Sequence, residues 1–202
     1  MKYEKLFEIA GLTLSILTWM VCIVFNHASL NCLRMATWWV MTIQLAYFSL
    51  LLVPRSERFY FKDRLLKETR HVGRIMSVLM SVIFWSVFFY DRELILPRRF
   101  DVIPGLNVLQ HLVPPILFFL DDKMYSDMNG MGLDGKVKFK GARIIYPTSV
   151  FCAYAVVVIV WSLATATWPY AFMAPLTFRT YQMMCSFVML GIWVLHKYII
   201  PQ

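Results

Sequence analysis

Charge is scarce in this 202-residue chain: only 16% of residues are Asp, Glu, Lys or Arg, against 59% hydrophobic residues. A soluble domain usually carries about 25% charged residues, so water is a poor solvent for this sequence. Cysteine is equally thin. The four residues, Cys22, Cys32, Cys152 and Cys185, are scattered with no CxxC pair, which argues against a zinc site or a disulfide framework. There is no nucleotide-type glycine motif, no internal repeat and no low-complexity tract. The net charge of +8 would suit nucleic acid, but the bases lie between apolar runs and lack the interleaved aromatics of a recognition surface. Nucleic acid is therefore not expected as a partner.

Long apolar runs stand in place of these features. Six stretches read as spans: 9–25, 35–53, 75–90, 102–120, 144–166 and 180–196. A spanning helix needs about 20 mostly apolar residues. Backbone polar groups cannot stay unpaired in hydrocarbon, so the runs must be helices. The charge-free stretch 144–178 is too long for one span, and Trp168-Pro169 with Pro175 breaks it into a helix and a loop. Residues 1–32 have the outline of a secretory signal, but their 17-residue apolar run, flanked by Glu4 and Glu8, is too long for that and reads as the first helix. The fold expected is an all-α membrane bundle of about six transmembrane helices in one domain, 1–202.

The loops set an orientation. Fifteen of the twenty basic residues fall at one end of such a bundle, seven of them between Arg55 and Arg74, and five at the other. That bias places both the N and C termini on the cytoplasmic side. Residues 57–74 mix bases with Phe59, Phe61, Leu65, Leu66 and Val72, a pattern suited to a helix lying in the membrane interface and drawn to anionic lipid. Residues 124–141, with Asn129-Gly130 and Asp134-Gly135, read as a cytoplasmic loop.

Polar residues inside a span are functional candidates, because hydrocarbon offers them no partner. Of the four histidines only His111 sits well within an apolar run; His27 and His71 read as loop residues, and His196 as a helix end. Asn107 precedes His111 by four residues and shares its helix face. Pro114 and Pro115 release the carbonyls of Gln110 and His111, so this stretch needs polar company. His111 would lie about 8 Å below the outer surface. Thr37 in the second span, Asp91-Arg92-Glu93 after the third, and Trp168 and Tyr170 after the fifth would gather at that same end. Read alone, Thr37 is a helix-start threonine, Gln44 a buried amide and Asp91-Arg92-Glu93 an interfacial charge cluster, and His111 suits a packing role as well as a catalytic one.

These residues resemble a known family. Phe84-Trp85 through Tyr90-Asp91-Arg92-Glu93, Ile95, Pro97, Asp101, Ile103-Pro104-Gly105 and Leu106-Asn107 to His111, together with Thr37 and Gln44, are similar to the androgen-induced and androgen-dependent TFPI-regulating membrane proteins. Thr167-Trp168 with Tyr170 adds a weaker match, and Val108 stands where the family often has a histidine. The resemblance implies a multi-pass hydrolase of fatty acid esters of hydroxy fatty acids, with Thr37 as nucleophile and His111 as general base and acid. Asn107 is then the first choice to orient the imidazole and Asp91 the second, with Arg92 and Gln44 in support. That chemistry requires neither a cofactor nor a metal. A lipid ester would be the substrate and membrane lipids the surroundings. The endoplasmic reticulum membrane is the default compartment, with the plasma membrane the other candidate. The competing expectation is a non-catalytic lipid-binding, transport or scaffold protein.

Overall fold

The computed structural model describes residues 2–25, 35–53, 60–91, 109–121, 143–170 and 173–199. Among them the chain is all helical, with six helices: α1 Lys2–Phe25, α2 Ala36–Leu52, α3 Tyr60–Tyr90, α4 Leu109–Asp121, α5 Ile145–Thr165 and α6 Phe178–Ile199. Three stretches, Arg64–Tyr90, Ile145–Thr165 and Phe178–Tyr198, are long and apolar enough to cross a membrane; Ala36–Leu52 and Leu109–Asp121 are shorter apolar helices. The outside of the bundle is apolar as well. Leu163 is 82% exposed and Phe89 79%, a surface that hydrocarbon tolerates and water does not.

The helices alternate in direction. In the α1–α2 seam, the Phe48 ring occupies the place where a side chain on Gly11 would begin. Gln44 Nε2 donates to Ser15 Oγ at 2.9 Å, and Trp19 Nε1 to Thr42 Oγ1 at 3.1 Å. Numbers rising along one helix and falling along the other make the pair antiparallel. Small residues let the backbones approach, and short hydroxyl and amide side chains bridge them, as membrane-helix seams favour. α4 runs against α3 in the same way. Phe118 fills the space above Gly73, and His111 stacks on Phe84. A larger core joins Ala36 and Val40 of α2 to Ile75 and Met76 of α3, Phe151 and Val158 of α5, and Tyr181 and Ile192 of α6.

α3 differs from the sequence expectation. It begins within the basic stretch instead of near residue 75, so residues 60–74 belong to the third helix rather than forming a separate interfacial one. Leu, Lys, Glu and Arg are good helix formers and no proline interrupts them; charge lowers hydropathy without ending a helix. At about 46 Å by helix rise, α3 overreaches a hydrocarbon core of about 30 Å. Its basic turns cap one end of the bundle, where Arg64 Nη2 donates to Tyr146 Oη at 3.3 Å. α5 ends where the tryptophan–proline break was expected: Ala166 is left-handed (φ 54°), and its N–H bonds the Ser162 carbonyl at 2.9 Å, a common way to close a helix. Residues 102–108 of the fourth expected span lie outside the described residues.

Candidate functional site

Thr37 stands in the first turn of α2 and is buried, 6% exposed. The helix is capped at an earlier position than a Thr37 cap would need. Met35 is the N-cap, it makes no side-chain cap bond, and its carbonyl receives the Trp38 N–H at 3.1 Å. His111, also 6% exposed, stands in the first turn of the described α4. Its ring lies face to face with Phe84, centroids 3.5 Å apart and planes 10° apart. Stacking occupies one imidazole face, while both nitrogens sit on the ring edge. The main-chain carbonyl of His111 accepts a hydrogen bond from Ser81 Oγ. This is the carbonyl that Pro115 leaves without its helical donor.

The two residues are related through the aromatic contact deeper in the bundle. Thr37 is eleven residues before Phe48, close to three full helix turns, so both share one face of α2. His111 is seven residues before Phe118, close to two turns, so both share one face of α4. Phe48 and Phe118 pack together with centroids 6.5 Å apart. Both helices run antiparallel to α3 and therefore parallel to each other. Stepping along the helices from the Tyr47–Phe118 contact (5.5 Å) puts Thr37 about 15 Å and His111 about 10 Å toward the end opposite the basic turns of α3. Helix rise thus puts Thr37 and His111 at depths about 5 Å apart, on the faces of α2 and α4 that carry Phe48 and Phe118. Among the described residues no hydrogen bond joins them.

The supporting candidates separate. Gln44, 1% exposed, belongs to the Thr37 stripe but commits its amide nitrogen to Ser15 in the α1–α2 seam. Asp91 closes α3, its N–H on the Val87 carbonyl at 2.8 Å. It is exposed and seven residues past Phe84, about 10 Å beyond the level of His111. Asn107 and Arg92 lie outside the described residues.

The structure also contains polar groups that the sequence reading passed over. At the basic end, Asp121 is fully buried; its Oδ2 accepts from Tyr47 Oη (2.7 Å) and forms an ion pair with Arg70, 2.6 Å from Nε. His71 is not a loop residue: it is 5% exposed within α3, with its Nε2 3.2 Å from Nδ1 of His196 on α6. Asp121 sat at the edge of an apolar run beside Asp122 and Lys123, so it resembled a loop charge. The signal that could have found them was spacing: Arg70 and His71 continue the same helix as Ile75, and nothing between them breaks it.

A cavity of about 570 Å³ opens between α3, α5 and α6. Its α3 wall runs through Met76, Met80, Ile83 and Val87, roughly a third of a turn around the helix from the Ser81 and Phe84 stripe that holds His111. Neither Thr37 nor His111 lines it, although Ala36 does. No protein-family model matches the chain, and no match is found among curated proteins or solved structures.

Proposed function

We propose that this protein is an intramembrane hydrolase of lipid carboxylic esters, such as fatty acid esters of hydroxy fatty acids, with Thr37 as nucleophile and His111 as general base and acid. The six helices would then all cross the bilayer, with both termini cytoplasmic and the Thr37–His111 end facing the lumen of the endoplasmic reticulum. The observation that carries the reading is the packing of Phe48 on Phe118, on the faces of α2 and α4 that also bear Thr37 and His111 at depths within about 5 Å. The second support is that α2 does not use the Thr37 hydroxyl as its cap.

In this mechanism Thr37 Oγ1 attacks the ester carbonyl carbon while a ring nitrogen of His111 takes its proton. The imidazolium returns that proton to the departing alkoxide, so the hydroxylated product leaves as an alcohol and the acyl group remains on Thr37. Water, deprotonated in turn by His111, attacks the acyl-threonine and releases the fatty acid. A site about one turn below the surface lets a lipid keep its chains among helices while water reaches the ester.

A specific observation favours a second reading. His111 is docked on α3 through both its ring and its carbonyl, which is what a packing residue of a non-catalytic lipid-binding, transport or scaffold protein would do. Purified protein and its Thr37→Val and His111→Ala variants, assayed for lipid ester hydrolysis after confirming that each is folded, separate the two. Loss of turnover in both variants supports the hydrolase; turnover retained by either removes that residue from the mechanism.

A further inference from the structure

The cavity between α3, α5 and α6 has one polar end. Its walls are almost wholly apolar along Met76 to Val87 of α3 and Met184 to Val188 of α6. The outer end is different. There Ala36 begins α2, Tyr170 follows the end of α5, and Thr180 lies in the first turn of α6. Tyr154 and Tyr181 reach the same region, each buried with no more than about a tenth of its surface exposed.

Tyr154 carries the argument. Its hydroxyl oxygen faces the Ala36 N–H, one of the helix-start donors that α2 cannot satisfy internally. A phenol that accepts one hydrogen bond still has its own proton to give. Among the described residues no hydrogen bond takes up that proton, so a buried donor, 9% exposed, is left at the head of an apolar cavity. A buried donor of this kind requires an acceptor. A ligand oxygen at the cavity mouth would supply one.

The dimensions define the rest of the ligand. From Met76 to Val87 the wall spans about 16 Å by helix rise, close to half of a hydrocarbon core of about 30 Å. That is the depth available to one acyl chain in one leaflet. Met183 and Phe187, 54% and 69% exposed, form the rim on α6, so a chain can enter sideways from the bilayer. The volume falls within the usual range for small-molecule sites, about 300–1,000 Å³.

We propose that this cavity binds a single-chain fatty acid, its carboxyl oxygen accepting from Tyr154 and its chain lying between α3 and α6. The site is separate from Thr37 and His111 and does not depend on their being catalytic. The test uses the full chain in phosphatidylcholine vesicles with a diazirine-bearing palmitate, and in a second arm the same chain carried on phosphatidylcholine. Palmitate should label residues 76–87 and 180–188, and excess unlabelled palmitate should suppress this about tenfold by mass action. Labelling at the exposed Leu17 and Val24 of α1 should not respond to competitor. Tyr154→Phe keeps the ring and removes the donor, and should weaken competition about tenfold. Thr37→Val and His111→Ala should leave the labelling intact. Competitor-insensitive labelling spread evenly over lipid-facing residues overturns the proposal, as does competition unchanged in Tyr154→Phe. Cavity labelling by the phosphatidylcholine probe alone would overturn it too, because the occupant would then be bulk lipid.

Discussion

The Ser81 hydroxyl donates to the main-chain carbonyl of His111, joining α3 to α4 at the one carbonyl that Pro115 strips of its helical partner. A serine one turn from Phe84 thereby fixes the backbone of His111 while Phe84 fixes its ring. Removing the hydroxyl leaves a carbonyl without a donor in an apolar seam, a cost of about 1–3 kcal/mol. Ser81→Ala should therefore lower the thermal midpoint of the purified protein. The penalty should shrink in a Pro115→Ala background, where the substituted residue returns an N–H to the carbonyl. Equal penalties in both backgrounds, read as a double-mutant cycle, would show that the bond contributes nothing through that carbonyl.

The need for such a partner was readable from Pro114 and Pro115, but its identity was not. Serines occur throughout the apolar runs, and only the register of α3 against α4 selects Ser81. Helix positions were legible for a similar reason. A charge-free run of sufficient length has few alternatives in hydrocarbon, so α2, α5 and α6 appear within two or three residues of where the apolar runs and prolines put them. The start of α3 was not legible, because hydropathy reports solvent preference while helix continuity depends on propensity and the absence of proline. The Arg70–Asp121 pair was hidden by the same confusion: each residue looks like a loop charge until both are seen to share a buried layer.

That pair should matter for stability. Asp121 Oδ2 holds Arg70 and Tyr47 together across three helices with no exposed surface of its own. Removing one partner of a buried ion pair strands the other charge, at about 3–5 kcal/mol. Asp121→Leu should cripple folding yield in detergent, whereas Tyr47→Phe should cost only about 1 kcal/mol, the loss of one hydrogen bond. A double change, Arg70→Met with Asp121→Leu, should recover much of the loss, since an apolar replacement of both charges is often tolerated. Fluorescence-detected size exclusion after heating gives the ranking.

Topology has its own test. The described helices bring the first residues of α1 and the last of α6 to the same end, where Phe7 meets Phe48 (6.0 Å) and His196 meets His71. The proposed orientation assigns that basic end to the cytoplasm. Glycosylation acceptor sites inserted near Ser29 or Arg99 should then be modified during insertion into microsomes, and sites near Gly132 should not. Modification at Gly132 would reverse the bundle and move Thr37 and His111 to the cytoplasmic side.

The nucleophile admits the sharpest test, because the two accounts of Thr37 predict opposite outcomes for similar substitutions. If its hydroxyl is activated by His111, a fluorophosphonate should attach to Thr37 Oγ1, since such reagents trap hydroxyls that a base has already deprotonated. Labelling should disappear in His111→Ala. Thr37→Ser should retain part of the turnover, keeping the hydroxyl but losing the methyl that restricts its rotamer. Thr37→Asn should be inactive, although asparagine serves well at helix starts. If Thr37 only supports the first turn of α2, the ranking inverts: Thr37→Asn is tolerated, and no adduct forms on residue 37. Met35 already occupies the N-cap without a side-chain bond, so an asparagine at 37 gains no capping role there and its loss of activity would report chemistry. Peptide mapping of the adduct by mass spectrometry decides the matter. A label on Thr42, or turnover unchanged in Thr37→Asn, would end the threonine mechanism.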